Sequence, residues 1–270
     1  MEVQPVPAEI IAVANHKGGV GKSFTAVSLA AGMAHAGWRT LLVDCDAQAN
    51  ATSMFDPGDE VQFDLLDIII GGVEASKAVI TTRVSGLDLM GASLDVARLD
   101  QELITRHYRE EQVRRALAPL RDDYDVMVLD LSPNLGQLVI TALNAATGLI
   151  VPTDASRWGR RGVAMFLEWA EELRHADVLS AELLGVVLTK YEEGTRISRE
   201  VRDDLRAGPW PMFTTLIPKR VAAERMVAEL RVIGDPEADF DLSQAYANLT
   251  AEVLDRLTEC VARRGRHARG

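Results

Sequence analysis

Residues 10–23 read Ile-Ile-Ala-Val-Ala-Asn-His-Lys-Gly-Gly-Val-Gly-Lys-Ser, and this stretch decides the fold. Its apolar first half is typical of a buried parallel strand, and the residues after Ser23 favour a helix. A glycine-rich turn between a strand and a helix N-terminus directs backbone N–H groups inward and favours bound anions. In such a loop we expect Lys22 to reach the β- and γ-phosphates of a nucleotide, and the Ser23 hydroxyl to bind Mg²⁺. The common phosphate-loop pattern has glycine where this chain has His16, so the loop is a variant.

Apolar, β-branched runs alternate with helical patterns along the rest of the chain. This alternation predicts an α/β fold, with a doubly wound, mostly parallel sheet of about seven or eight strands and helices on both faces. The predicted strands cover residues 10–14, 40–45, 87–90, 126–131, 148–152, 184–189 and 213–217. The predicted helices cover residues 22–35, 99–120, 137–146, 160–174, 198–207, 221–230 and 242–262. We interpret residues 1–270 as a single domain with a basic tail at 263–270 that we expect to be flexible.

The composition restricts the classes of function. No run approaches the roughly 18 apolar residues that cross a bilayer, and residues 1–5 lack the basic start of a secretory signal, so we expect a cytoplasmic protein. The two cysteines, Cys45 and Cys260, form no CxxC pair, which excludes a disulfide framework, a zinc ribbon and an iron–sulfur cradle. The net charge of −11 argues against a protein whose whole surface coats nucleic acid, although it allows a local basic face.

Three blocks of sequence together resemble the ParA/MinD family of ATPases. Residues 17–23, KGGVGKS, are similar to the deviant Walker A motif of that family. Residues 41–50, LLVDCDAQAN, resemble its second block, which normally has proline at the position of Ala47, and residues 124–133, YDVMVLDLSP, resemble its Walker B segment. Similar text at 184–191, 215–218 and 245–249 extends the resemblance over nearly the whole chain. It points to ParA/Soj-type partition ATPases that lack an N-terminal helix-turn-helix domain, because about ten residues precede the first predicted strand.

The resemblance implies a site for ATP and Mg²⁺. The implied nucleotide-binding residues are Lys17, Gly18, Gly19, Val20, Gly21, Lys22, Ser23 and Phe24, with Pro218 beside the adenine. The implied catalytic residues are Lys17, which crosses to the partner's phosphates in a dimer, Lys22, and Asp46, which positions the attacking water. The implied metal residues are Ser23, Asp130 and Asp44. Phosphoryl transfer needs charge neutralisation and an in-line water, which agrees with this set, although a lone aspartate at a strand end is also an ordinary polar cap.

The resemblance also implies what the ATPase acts on. Relatives form a homodimer when ATP is bound, hold nonspecific DNA on the nucleoid, hydrolyse ATP slowly, and are released when a ParB-like or other adaptor stimulates hydrolysis. Such a cycle serves plasmid or chromosome segregation, or the positioning of another cargo. The predicted DNA-binding residues are Arg196, Arg199, Arg202 and Arg206, which lie within about 120° on one helix, together with Lys219 and Arg220. Asp203 weakens this stripe, and the alternative is a solvated helix face that pairs with Glu200 and Asp204.

Two other classes of protein share the predicted fold. A MinD-like membrane-associated positioning ATPase would need a terminal amphipathic helix. An apolar stripe does occur near the end of the chain, at Leu249, Val253, Leu254, Leu257 and Val261. We interpret this stripe as the core face of the last helix and expect no membrane partner. A reductase like the nitrogenase iron protein would need paired cysteines, and none lie between Cys45 and Cys260.

Overall fold

The computed structural model describes residues 7–229, 231–235 and 237–267. Eight strands form one sheet: β1 (Glu9–Val13), β2 (Thr40–Cys45), β3 (Val79–Thr81), β4 (Leu87–Met90), β5 (Val126–Leu131), β6 (Gly148–Asp154), β7 (Glu182–Tyr191) and β8 (Met212–Pro218). Their order across the sheet is β3-β4-β2-β5-β1-β6-β7-β8. Every neighbouring pair is parallel except β3 with β4. The predicted mostly parallel α/β sheet is therefore confirmed.

Ten helices connect and cover the strands in the described part of the chain. They are α1 (Lys22–His35), α2 (Asn50–Ser53), α3 (Leu65–Ile69), α4 (Leu99–Glu102), α5 (Gln112–Leu117), α6 (Gln137–Ala145), α7 (Gly159–His175), α8 (Arg196–Arg206), α9 (Val221–Ala228) and α10 (Phe240–His267). Short 3₁₀ turns lie at Gly58–Glu60, Ala75–Ala78, Leu94–Arg98, Arg109–Glu111 and Ala118–Leu120. Two neighbouring parallel strands must be joined by a crossover connection, and a helix usually forms that connection.

Two apolar cores lie on the two faces of the sheet. In β1, Ile10 and Ala12 belong to the core that contains the buried residues of α3 to α8. Ile11 and Val13 belong to the opposite core, which contains those of α1 and α10. Successive residues of a strand point to opposite faces, so a strand buried on both sides must be apolar at every position. This is why the predicted strands read as continuous apolar runs.

The predicted helix at 99–120 is wrong. The structure has only short helical segments there, which are α4, α5 and the 3₁₀ turns at Arg109–Glu111 and Ala118–Leu120, with a left-handed backbone at Tyr108 (φ 53°). Residues 104–108 are all exposed, so this stretch lacks the apolar face that stabilises a helix by packing. Strand β3 was not predicted, because its three residues are too short for a clear pattern.

The position of the last helix tests our interpretation of the apolar stripe as a core face. In α10, Leu249, Val253 and Leu257 are buried in the core with α1, which confirms the stripe as a core face. Among the described residues, no helix has both the length and the apolar character to cross a membrane. Residues 1–5, Leu230 and residues 268–270 of the basic tail lie outside the described residues.

Candidate functional site

The candidate site lies at the carboxyl ends of the central strands. Strand β1 pairs with β5 on one side and with β6 on the other, so connections leave this point in two directions. Such a switch point leaves a crevice at the carboxyl ends of the strands, where open α/β sheets bind ligands. The loop at 14–21 follows β1 directly and leads into α1. The topology thus brings the glycine-rich loop, Asp44, Asp46 and Asp130 together at the carboxyl-end edge of the sheet.

The loop has the backbone of an anion cradle. Gly19 and Gly21 have φ angles of 74° and 82°, which side chains other than glycine rarely adopt. Carbon atoms added at Gly18, Gly19 or Gly21 would meet nothing within 4 Å, so the space beside the loop is open. The loop thus combines a backbone that requires glycine with an uncrowded surface beside these three glycines.

Side chains from neighbouring strands hold the loop in place. The Asn15 amide donates to the Pro152 carbonyl at 2.8 Å, and Asn15 Oδ1 accepts from the Lys17 backbone N–H at 3.1 Å. The buried Thr189 hydroxyl lies 2.8 Å from the Val20 carbonyl and 3.0 Å from the Thr153 carbonyl. These contacts fix both ends of the loop against β6 and β7. Their residues were not predicted, since a lone threonine or asparagine carries no signal in the sequence.

The two lysines of the loop are placed differently. Lys22 is buried, and its ammonium donates to the Lys17 carbonyl at 3.0 Å, so it curls over the loop. Burial lowers the pKa of Lys22, and the nearby carboxylates of Asp130 and Asp46 oppose that shift. Lys17 points away from the loop and donates to Asp154 Oδ1 at 2.6 Å and to Ser156 Oγ at 2.8 Å. The Lys22 ammonium thus lies over its own loop, whereas the Lys17 ammonium points away from the loop toward β6.

Asp130, at the end of β5, is a buried carboxylate without a hydrogen-bond partner. The side chain is fully buried, and neither oxygen accepts a hydrogen bond of good geometry from the described residues. Burial and the neighbouring Asp44 raise the pKa of Asp130 well above its usual range, while Ser23 and Lys22 oppose the rise. A buried charged group without a partner is costly, and a bound cation would remove that cost. Asp130 and the Ser23 hydroxyl are hard oxygen donors, so these residues fit Mg²⁺.

Asp44 is also fully buried, but its oxygens are already engaged. Oδ2 accepts from the Thr52 backbone N–H at 2.9 Å and from the Thr52 hydroxyl at 2.7 Å, and Oδ1 accepts from the Asp46 N–H at 3.0 Å. Burial raises the pKa of Asp44 to about 6, although these hydrogen bonds oppose the shift. The bonds favour a structural role for Asp44, in which it shapes the turn after β2, over the predicted metal contact.

Asp46 lies two residues farther along the same turn. One of its oxygens accepts from the Gln48 N–H at 3.0 Å, and the side chain is almost fully buried. Its charge acts on Lys22, since Asp46 opposes the lowered pKa of that lysine. The structure therefore brings Lys22, Asp46 and Asp130 into one electrostatic cluster beside the loop.

The predicted adenine contacts lie farther apart. The Phe24 ring meets the Tyr246 ring edge-on at 5.5 Å, between α1 and α10. Pro218 lines a cleft of about 780 Å³ with Tyr191, Asn248 and their neighbours. None of residues 17–24, all of which the structure describes, lines that cleft. The cleft is large enough for a nucleoside, but the structure does not join it to the loop.

The predicted DNA-binding residues lie on and near α8, and several of them form ion pairs. Arg196 pairs with Glu200 at 2.6 Å, as the alternative interpretation expected, and Arg202 pairs with Asp203 at 2.8 Å. Lys219 pairs with Glu192, and Arg220 pairs with Asp241. Arg199 and Arg206 are exposed. The stripe is therefore present on the helix surface, but it is partly neutralised.

Sequence reasoning also missed Asp154, Ser156 and Thr52. Asp154 ends β6, and polar residues at the carboxyl ends of central strands are a usable signal for a site. The prediction ended that strand at residue 152 and so overlooked Asp154 and Ser156. Thr52 lies eight residues beyond Asp44, and nothing local indicates that the two meet.

Comparison with known proteins agrees with this geometry. The family described as an AAA domain matches residues 8–183. The chain is 32% identical to the chromosome partitioning protein ParA of Caulobacter vibrioides, over 93% of this chain and 95% of that protein. It is 35% identical to the chromosome-partitioning ATPase Soj of Thermus thermophilus, over 92% and 96% of the two chains.

Among solved structures, a cobyrinic acid a,c-diamide synthase of Mycobacterium smegmatis with bound ADP and magnesium is 30% identical to this chain. The TM-score is 0.80, and the match covers 93% of this chain and 96% of that one. The family match, the similar partition ATPases and the shared fold agree with the glycine-lined loop and the buried carboxylates described above. The chain belongs to the ParA/MinD family of ATPases.

Proposed function

We propose that this protein is a partition or positioning ATPase that binds MgATP at the loop of residues 17–23 and dimerises in that state. The observation that carries the proposal is the different placement of the two loop lysines. Lys22 curls over its own loop, whereas the Lys17 ammonium lies outside the loop and keeps 28% of its side-chain surface exposed. Placed there, the Lys17 ammonium would complete the phosphate site of a second copy once it exchanges Asp154 and Ser156 for phosphate.

Each residue of the site then has a distinct task. The backbone N–H groups of the loop and the Lys22 ammonium bind the phosphate tail and offset its charge. Ser23 and Asp130 would hold Mg²⁺, which supplies further charge neutralisation when bound. The M. smegmatis relative, which has bound ADP and magnesium, supports a nucleotide and a magnesium ion in this family. Asp46 orients the attacking water, and Asp44 keeps the turn that carries Asp46 in shape. Slow turnover follows when the site is incomplete without a second Lys17.

Dimerisation requires an exchange of partners at Lys17. In the single chain its ammonium is bound by Asp154 and Ser156. These contacts must break before Lys17 reaches the phosphates of another copy. A partly exposed pair of this kind is worth little, about 0.2–1 kcal/mol, so phosphate charge is sufficient to displace it.

The partners follow from the similar partition ATPases. We propose that the MgATP dimer binds DNA without regard to sequence, in the cytoplasm and on the nucleoid. A ParB-like or other adaptor would stimulate hydrolysis and so release the protein from DNA. The names of the C. vibrioides and T. thermophilus relatives support a role in chromosome partitioning, and plasmids or protein assemblies are the other cargoes of this kind.

The test is a DNA-binding titration without nucleotide, with ADP and with ATP. We expect binding with ATP alone, equal for unrelated duplex sequences, together with an ATP-dependent dimer in size-exclusion chromatography. Lys17→Ala should bind ATP as a monomer and lose DNA binding, whereas the exposed Lys77→Ala serves as a matched control and should behave as wild type. Equal DNA binding in all three nucleotide states would contradict the proposal. ATP-dependent sedimentation with lipid vesicles instead of DNA would favour the MinD-like membrane class.

A further inference from the structure

An exposed basic and aromatic surface lies at the start of α7, outside the residues considered so far. It consists of Arg157, Trp158, Arg160 and Arg161, and we call it the α7 basic surface. All three arginines are exposed, and 66% of Trp158 is exposed. The surface thus combines an exposed aromatic ring with three exposed cations, the two kinds of group that proteins use to bind nucleic acid.

The arginines of the α7 basic surface have no partners in the chain as far as the structure describes it. Arg157, Arg160 and Arg161 take part in none of its side-chain hydrogen bonds or ion pairs, and the first turn of α7 contains no acidic residue. Four of the six cations predicted to bind DNA are, by contrast, paired with Glu200, Asp203, Glu192 and Asp241. Free cations attract an external polyanion more strongly than cations that must first leave a carboxylate.

The α7 basic surface continues toward α8. A cleft of about 330 Å³ lies between the end of β6 and the start of α8, and its lining includes Lys190 together with the carboxylates of Asp154 and Glu192, which pair with Lys17 and Lys219. Lys190 is exposed beside it, as is Arg199 on α8. The free positive charges thus extend over α7, the end of β7 and α8, as a surface that follows an extended polyanion would require.

We propose that the α7 basic surface is the main contact for the phosphate backbone of duplex DNA, with Trp158 packed against the sugars between phosphates. This inference rests on the DNA binding proposed above and deepens it by naming the residues. The arginine guanidinium suits phosphate because it donates in a planar fork and is weakly hydrated. The arginines at α8 then extend the contact instead of forming its centre.

A second copy of this chain is the other candidate occupant, because Lys17, the residue proposed to cross between copies, lies beside Ser156. Arginine and tryptophan are common at protein interfaces, but arginines buried there need matched carboxylates, and the first turn of α7 contains none. DNA, in contrast, gains from every added cation through the release of counterions. The concentration of free arginines therefore favours DNA.

The experiment compares charge removal at two places. Arg160→Ala/Arg161→Ala removes two charges from the α7 basic surface. Lys77→Ala/Arg106→Ala removes two exposed charges elsewhere, since Lys77 precedes β3 at the opposite edge of the sheet and Arg106 lies between α4 and α5. Duplex binding is measured with ATP over a range of salt concentrations. We expect at least about a tenfold loss of affinity at ~0.1 M salt and a salt slope reduced by about two for the first variant only.

Trp158→Ala tests the uncharged part of the contact. We expect a loss of affinity of roughly three- to tenfold with an unchanged salt slope, because no phosphate contact is removed. Tyr108→Ala is the matched control, since Tyr108 has the same exposed fraction of 66% and lies before α5. Equal losses in the two variants would overturn the role of Trp158.

Dimerisation and nucleotide binding are measured in parallel, and both should equal those of wild type in the arginine variant. An unchanged DNA affinity and salt slope would overturn the inference while leaving the proposed function intact. Loss of the ATP-dependent dimer would also overturn it and would make the α7 basic surface a contact between copies. If wild-type protein fails to bind DNA with ATP, the proposed function itself fails.

Discussion

The edge of the central strands and the surface of α7 and α8 use charge in opposite ways. At the strand edge, Lys22, Asp44 and Asp130 are buried, and two of the three are held by hydrogen bonds. On α7 and α8 most arginines are exposed, and they are either free or paired with a nearby carboxylate. Buried charges interact strongly because water does not screen them, whereas exposed charges interact weakly and are screened by salt. The first region suits precise chemistry, and the second suits binding of a uniform polyanion.

This difference teaches where single substitutions matter. A buried charge that loses its partner costs several times more than an exposed one, so the strand edge should be intolerant of change. The surface should lose affinity in increments, one charge at a time. The following experiments test that contrast, beginning with the largest expected effect.

Lys22→Ala should abolish measurable nucleotide binding. The substitution removes a buried ammonium that would bind the phosphates, and losing one partner of such a charge pair costs at least about 2–5 kcal/mol, or roughly 30- to 4,000-fold. Isothermal titration with ATP measures the effect, and Lys77→Ala controls for loss of charge alone. If Lys22→Ala binds ATP with wild-type affinity, the buried strand edge is no more sensitive to substitution than the exposed surface, which contradicts the expected difference.

Asp46→Ala should keep ATP binding but stop turnover. The residue is expected to position water rather than to bind phosphate, so we expect ATP hydrolysis to fall by about 10²- to 10⁴-fold. The dimer should accumulate with ATP in size-exclusion chromatography, because hydrolysis no longer ends the bound state. A protein that remains monomeric with ATP would contradict this assignment.

Asp130→Asn should raise the Mg²⁺ concentration needed for hydrolysis by about 10- to 100-fold. The substitution keeps the shape of the side chain but removes the charge that faces the proposed metal position. Hydrolysis rates measured over a Mg²⁺ titration give the effect.

Thr52→Val is the control for Asp130→Asn, since it removes a hydrogen bond to the other buried carboxylate, Asp44. It should leave the Mg²⁺ requirement unchanged and lower the free energy of unfolding by about 1–3 kcal/mol in urea. If Thr52→Val instead changes the Mg²⁺ concentration needed for hydrolysis, Asp44 takes part in metal binding.

Asp154→Ala should have the smallest effect and acts where the two regions meet. The substitution frees Lys17 from its carboxylate partner, so the MgATP dimer should form about two- to fivefold more readily. Sedimentation equilibrium across protein concentrations measures this change, and Ser53→Ala, an exposed hydroxyl elsewhere, is the control. A weaker dimer would mean that Asp154 takes part in the contact between copies.

The sequence predicted most of the fold because its strands are buried on both faces. Seven apolar runs stand out for that reason, and all seven are strands of the sheet. The errors fall where packing is one-sided or absent. The short edge strand β3 was missed, and the helix predicted at 99–120 is interrupted across the exposed residues 104–108.

The candidate site was predictable where its residues are contiguous. The loop of residues 17–23, with its two lysines, is a local pattern, and so are Asp46 and Asp130 at the ends of apolar runs. The partners of these residues were not predictable. Asp154 and Thr189 reach the site only through strand pairing and crossover connections, over 137 and 169 residues along the chain, whereas Thr52 reaches Asp44 through the turn and short helix after β2, over 8 residues.

By itself, the sequence determined the class of this protein: periodicity set the alternating strands and helices, and the glycine-rich loop set a phosphate-binding turn at the first switch point. Only the tertiary structure decided which of two similar aspartates is saturated by hydrogen bonds and which is left without a partner. It also decided which arginines are paired and which are free. The physical reason is that periodicity and backbone conformation are local properties, whereas burial and electrostatic pairing depend on residues that only folding brings together.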